Sequence, residues 1–224
     1  MEEKIAVARK VALHKPDHEL FEPGELGVLL EIAVKKPDGT VTEQWKKRAE
    51  SLVRQFFDVW LVQLLNVPEM NPLQIRDTGN LLRDTAMSDW TFNANALTGD
   101  ATFGLVVGTG NVAPTILDYA LGAQILHGIG AGQVQYGNVA FGLPASDPTT
   151  SSFTITRDFA NASGGSITVN EIGLYVKADE AMAVNPFYTT NQRIFMTIRD
   201  VIGGGIAVPN GQTLTINYRF QGVI

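Results

Sequence analysis

The stretch GLVVGTGNVAPT (104–115) fits G-x-G-x-x-A, with Gly108, Gly110 and Ala113 following a short apolar run. A dinucleotide-binding loop uses this spacing, because glycines let the backbone approach a pyrophosphate held at a helix N-terminus. The chemistry also requires a helix opening at the loop and an acidic residue about 20 positions on for the ribose. Here Pro114 follows directly, Gly122 interrupts, and HGIGAGQVQYG (127–137) is glycine-rich. Asp118 lies too near for the ribose role and Asp147 too far. The residues therefore predict a strand entering a turn, with Gly108 and Gly110 serving backbone geometry at positive φ.

Other reactive residue types are sparse. His14 and His18 stand four apart around Asp17, a metal-ligand spacing on a helix, but Pro16 predicts a solvated loop. His127 precedes a glycine and has no carboxylate neighbour in sequence to make it a general base. Glu171 with Asp158 or Asp200 would supply a glycosidase pair, although carboxylates at strand ends are common. There is no G-x-S-x-G, H-E-x-x-H or G-K-[ST]. Trp45, Trp60 and Trp90 lie outside the strand-rich part. A glycan-binding face would therefore rest on Tyr119, Tyr136, Tyr175, Tyr188 and Tyr218, and Tyr175 and Tyr218 fall in strand patterns that pack in or near a core. The expectation is no catalytic residue, no cofactor and no metal.

Composition narrows the classes further. The chain has 224 residues and a net charge of −6, so no broad basic surface for nucleic acid is implied. It contains no cysteine, which removes disulfides and thiolate chemistry. No run of 18 or more apolar residues is present to span a membrane, and MEEKIAVARK lacks a signal-peptide apolar region. Glycine is concentrated after position 78.

The elements around these residues are mostly strands. Leu26, Val28, Leu30, Ile32 and Val34 alternate cleanly, and residues 4–13 do so less cleanly. After the KPDGT turn (36–40), Thr40 and Glu43 have capping-box spacing. Trp45, Ala49, Leu52, Phe56, Trp60 and Leu64 then recur every three to four residues. This predicts one helix from Val41 to Asn66, roughly 25 residues and roughly 37 Å long, stopped by Pro68. Val53, Phe57, Leu61 and Leu65 widen its apolar stripe, so the helix is covered on more than one side. Strands are expected at 101–107, 133–141, 152–159, 166–177, 193–202 and 212–224. The apolar phase switches between Val169 and Ile172, which predicts a bulge near Asn170–Glu171. ASGG (162–165) and PNG (209–211) are expected as hairpin turns. The fold class is mainly β with one long helix: an N-terminal strand hairpin and helix, then a C-terminal antiparallel β-sandwich.

Several segments carry a resemblance. VVGTGNVAPTILDYALGAQILHGIGAGQVQYG, FTITRDFANASGGSITVNEIGLYVK and MTIRDVIGGGIAVPNGQTLTINYRF resemble a class of tailed-phage virion structural proteins. Those proteins carry a G-T-G-[ND] turn, a D-Y-x-L segment, a GGSITVNEIGLY-like strand and a terminal VPxGQTLTxxY strand. The resemblance covers about residues 104–224. It implies a non-enzymatic, β-rich head, neck or tail component located in the virion, which assembles with itself and with other virion proteins. Two regions are expected: an assembly arm at 1–100 and a sandwich at 101–224. Trp45, Phe56, Phe57, Trp60 and Leu61 are the expected assembly interface, and the strand at 26–34 is expected to pair with a neighbour's sheet edge. A module that binds a host-surface glycan or receptor is the alternative.

Overall fold

The computed structural model describes residues 26–49, 52–64, 73–85, 92–180 and 191–223. The expected strand at 4–13, His14, His18, Trp90 and the helix end near Asn66 lie outside them.

Alternation decides most of the architecture. β1 (Leu26–Lys35) and β2 (Val41–Arg48) form a hairpin. Its turn is closed by Asp38–Gly39, where Gly39 takes φ +84° and Asp38 Oδ1 accepts the Thr40 N–H at 2.8 Å. The long helix expected from Val41 is therefore wrong: its beginning is the strand Val41–Arg48, and helix starts only at Arg54. Asp-Gly between two alternating runs is a hairpin signal, and it overrides the coincidental Thr40–Glu43 spacing. Glu31 pairs with Lys46 across the outer face at 3.0 Å. On the other face, Trp45 packs at the edge of the core opposite Ile32. The helix proper, α1 (Arg54–Leu64), has 11 residues. It buries Phe56, Val59 and Val62, with Val53 buried just before it, and it packs on β11 (Asn191–Val208) and β3 (Leu73–Arg76).

β4 (Leu82–Thr85), β5 (Gly104–Gly108) and three two-residue strands follow: β6 (Gln135–Tyr136), β7 (Ala140–Phe141) and β8 (Ala145–Ser146). The long strands are β9 (Thr150–Ala160), β10 (Ile167–Glu180), β11 and β12 (Thr213–Val223). One sheet runs β2-β1-β12-β9-β6, with β7 and β8 also on β9. The other runs β11-β10-β4-β3, with β5 on β10. All strand pairs are antiparallel. Val28, Leu30, Ile32, Ile155, Phe159, Leu214, Ile216 and Tyr218 of the first sheet share one core with Ile172, Leu174, Val176, Ile198 and Ile202 of the second.

Three expectations change here. The strand at 26–34 pairs with β12 inside the same chain rather than with a neighbour's edge, and β2 covers its other side. The boundary expected near residue 100 falls between strands that share both sheets, since β1 and β2 belong to the first sheet and β3 and β4 to the second. ASGG and PNG are not hairpin turns, because each joins strands of different sheets. The two crossings are tied to one another. Gly164 N–H donates to Asn210 Oδ1 and Gly211 N–H to Asn161 O, while the buried Asn161 Nδ2 donates to Gly165 O and Val208 O.

β12 pairs with β1 on one side and β9 on the other over nearly its whole length. As expected from its alternation, Leu214, Ile216 and Tyr218 are buried, while Phe220 is half-buried and stacks on Phe153 at 4.9 Å. Ending the chain after Gly211 removes this central strand and opens two sheet edges. The truncated protein is expected to be insoluble or to lose its cooperative thermal transition, checked by calorimetry. A soluble product with a sharp transition would show β12 to be dispensable.

Candidate functional site

The glycine loop is filled from within. The register of β10 shifts between Val169 and Glu171, where Asn170 faces the Gly203–Gly205 excursion of β11. This is the bulge the sequence predicts. It keeps Val169 and Ile172 in the core and turns Glu171 to the opposite face, beside Arg199. The Glu171 carboxylate is fully buried and accepts the N–H groups of Gly110 (3.0 Å), Gly122 (3.0 Å) and Ala123 (2.8 Å). Arg199 adds Nε at 3.1 Å and Nη2 at 2.9 Å. These five donors use the acceptor capacity of one carboxylate.

Arg199 carries the clamp outward. Its Nη1 donates to Asp118 Oδ2 at 2.6 Å and its Nη2 to Val112 O at 3.1 Å. Burial opposes the charge on Asp118. Hydrogen bonds from Thr115 and Arg199 nevertheless hold its carboxyl below the ordinary value. For Arg199, burial works against the cation, but the two carboxylates raise its pKa. Asn170 Nδ2 holds Thr109 O, and Leu121 N–H donates to Tyr175 Oη at 2.6 Å. Four segments thus meet at one point: the G-T-G-N turn, D-Y-A-L, the VNEIGLY strand and MTIRD.

This geometry explains Gly108 and Gly110, and it corrects their expected role. Neither has positive φ. Both are required by close approach. A Cβ on Gly110 would stand 2.7 Å from Glu171 Cδ, and one on Gly108 2.6 Å from Glu171 Oε1 and from Ala123 O. No helix follows the loop, so the amides that would face a pyrophosphate face an internal carboxylate instead.

A second cation braces the next segment. Arg157 is buried inside the sandwich and donates to five carbonyls, those of Gly137, Phe103, Leu105, Leu97 and Asp100. Its guanidinium lies 4.8 Å from the Tyr136 ring centroid. Burial pushes its pKa down to about 10, and burial pushes Tyr136 up to about 12. Tyr136 donates to Ile125 O at 2.6 Å. Between them these two residues fix the 97–105 segment and the 125–137 loop to β9 and β6.

The remaining sequence candidates have separate partners. Asp158 accepts Thr215 Oγ1 at 2.6 Å, and buried Asp200 accepts Tyr218 Oη at 2.7 Å. Asp200 follows Arg199 on β11 and so faces away from Glu171; the carboxylates make no pair across a cleft. His127 is exposed, with Nδ1 accepting the Tyr136 N–H at 3.1 Å. Among the described residues no cluster of three or more His, Asp or Glu is placed for a metal. The five residues expected at an interface divide. Trp45 is half-buried on β2 and Phe56 is 8% exposed, in edge contact with Phe92. Phe57 (49% exposed), Trp60 (41%) and Leu61 (43%) form one exposed face of α1.

The structure also exposes apolar side chains that sequence reasoning missed. From Ala101 to Ser146 the only Asp, Glu, Lys or Arg is Asp118, and the clamp occupies it. Val112, Ile116, Leu117, Leu126, Ile129, Phe141 and Leu143 are exposed there. The run without charge is the signal that could have found them. Comparison with models of protein families, with curated proteins and with solved structures finds no match.

Two outcomes follow. Glu171→Ala leaves a buried guanidinium half-paired and three N–H groups without an acceptor, and is expected to cost about 3–5 kcal/mol in urea unfolding. Gly110→Ala is expected to be strongly destabilising in the parent and milder in the Glu171→Ala background, because the side chain it strikes is gone. Additive costs would contradict the close-approach account. The second outcome concerns pH. The Asp118 pKa is lowered from 3.8, so its contribution is complete above that value and fades as the pH falls through the folded pKa. The stability gap between parent and Asp118→Asn is expected to be constant near neutrality and to shrink below pH 3.8; a gap independent of pH would remove Asp118 from the clamp.

Proposed function

We propose that this chain is a non-enzymatic structural component of a tailed-phage virion, in the head, neck or tail, that assembles with copies of itself and with other virion proteins. The observation that carries the reading is the exposed Phe57–Trp60–Leu61 face of α1. Contiguous exposed apolar groups mark interaction sites, and aromatic side chains dominate binding energy at such sites. The exposed apolar side chains along the nearly uncharged run 101–146 support the same reading, because interface cores are depleted in charge. The sequence resemblance over about residues 104–224 supplies the particle. The Glu171–Arg199 clamp then has a structural role, since it holds a long loop in one shape for a neighbour to meet.

Light scattering on the full chain is expected to give a multiple of the 24.3 kDa protomer mass. Trp60→Glu is expected to lower that mass toward the protomer while shifting stability by only about 0.5 kcal/mol, as for an ordinary surface change. Peptide mass spectrometry of purified particles locates the chain. A protomer-sized parent that is also missing from particles would overturn the proposal.

A further inference from the structure

The two sheet crossings meet at a dipeptide that can modify itself. Asn210 and Gly211 stand between β11 and β12, and both are exposed. In an Asn-Gly pair the main-chain nitrogen of the glycine reaches the side-chain carbonyl carbon of the asparagine readily, because the glycine has no Cβ to hinder the approach. The bond from Gly211 N to Asn210 Cγ forms, the Cγ–Nδ2 bond breaks, and the Gly211 amide proton leaves with Nδ2 as ammonia. Water then opens the cyclic imide at either carbonyl. One opening leaves aspartate. The other leaves isoaspartate, whose main chain runs through Cβ and Cγ and is one carbon longer.

The fold occupies both reacting groups. The Gly211 N–H donates to Asn161 O at 2.7 Å, and Asn210 Oδ1 accepts the Gly164 N–H at 2.8 Å. Gln212 N–H closes the turn on Pro209 O at 3.1 Å, and Gln212 O accepts the Asn161 N–H at 2.9 Å. The other crossing is anchored by the buried Asn161 side chain, which donates to Gly165 O and Val208 O and accepts the Ser163 N–H. Ring closure removes the Gly211 proton, so the bond to Asn161 O must be given up before the reaction can run. We propose that Asn210–Gly211 is a deamidation site which the folded chain keeps closed, and that the isoaspartate product is incompatible with the latch onto residues 161–165. Conversion in the folded protein then proceeds at the open-chain rate scaled by the fraction of time the crossing is open. The extra main-chain carbon of isoaspartate displaces Gly211 and Gln212 from Asn161, whereas aspartate at 210 keeps an oxygen for the Gly164 N–H. The inference rests on this latch and is independent of the virion reading.

The full-length protein, the same protein in guanidinium chloride and a synthetic peptide of residues 205–216 are incubated side by side at mildly alkaline pH. Peptide mass spectrometry then separates aspartate from isoaspartate at position 210. Conversion is expected in the peptide and in the denatured chain, and at least about tenfold more slowly in the folded protein, since it waits for local opening. Equal rates in the folded protein and the peptide would overturn the proposal, as would a peptide that does not convert. A second measurement tests the latch itself. Protein converted in guanidinium chloride is refolded and compared by calorimetry with Asn210→Asp, which has the new charge on an ordinary main chain. The variant is expected to keep the parent's cooperative transition, and isoaspartate is expected to concentrate in chains that lack it. Isoaspartate spread evenly through the cooperatively folding fraction, or a variant that loses its transition as the converted chains do, would overturn the incompatibility.

Discussion

One buried carboxylate organises the outer side of the second sheet. A charge taken out of water is costly unless its acceptor sites are filled, and Glu171 fills them with three main-chain N–H groups and the Arg199 guanidinium. The dependence runs both ways. Without the loop, Glu171 would lose the Gly110, Gly122 and Ala123 donors. Without Glu171, residues 109–123 would keep the Thr109 N–H to Ala123 O bond between their ends but lose the carboxylate that gathers Gly110, Gly122 and Ala123. The loop therefore has a defined shape although it contains no strand or helix. Long segments without regular structure are uncommon in compact domains, and here side-chain bonds extend the short main-chain pairing at the loop's base.

Arg157 solves the inverse problem. It is a buried cation whose hydrogen-bond partners are carbonyls, and five of them satisfy its donors. Those carbonyls belong to residues 97–105 and 137, segments with few ladder bonds of their own. Gly104 takes φ +78° within this cage, and a Cβ there would stand 2.7 Å from Val139 Cγ2. The two clamps divide the labour: Arg157 acts between the sheets and Glu171 acts outside them.

The legible part of the fold is the part governed by period two. LTINYRF and FTITRDF have one face in the core, so their alternation is imposed by burial and survives in the sequence. The bulge at Asn170 is legible for the same reason, as a break in that imposed phase. The helix from Val41 is misleading because Trp45, Ala49 and Leu52 recur at helical spacing while belonging to a strand, its exit and a bridge to Ile198. The turns at 162–165 and 209–211 are legible as turns but not as sheet crossings, since local residues fix chain reversal and not the sheet that receives the next strand. Glu171 is visible in the sequence only as a carboxylate. Its partners come from residues 110, 122, 123 and 199, and nothing local announces that convergence.

The clamps also bear on why so much apolar surface stays exposed. Association carries an entropic cost for every loop and side chain it must order. A loop already locked by Glu171, Arg199 and Asp118 has met that cost at folding, and an aromatic face on a helix whose other side is core has met it too. Val112, Ile116 and Leu117 lie within the clamped loop, and Phe57, Trp60 and Leu61 lie opposite the Val53–Phe56–Val59–Val62 face. Rigid apolar groups with little nearby charge gain burial on contact and lose little freedom or hydration of ions. The same residues would be a solubility liability on a solitary protein. Internal charge pairing that rigidifies the very loops bearing them is what the proposed assembly would require.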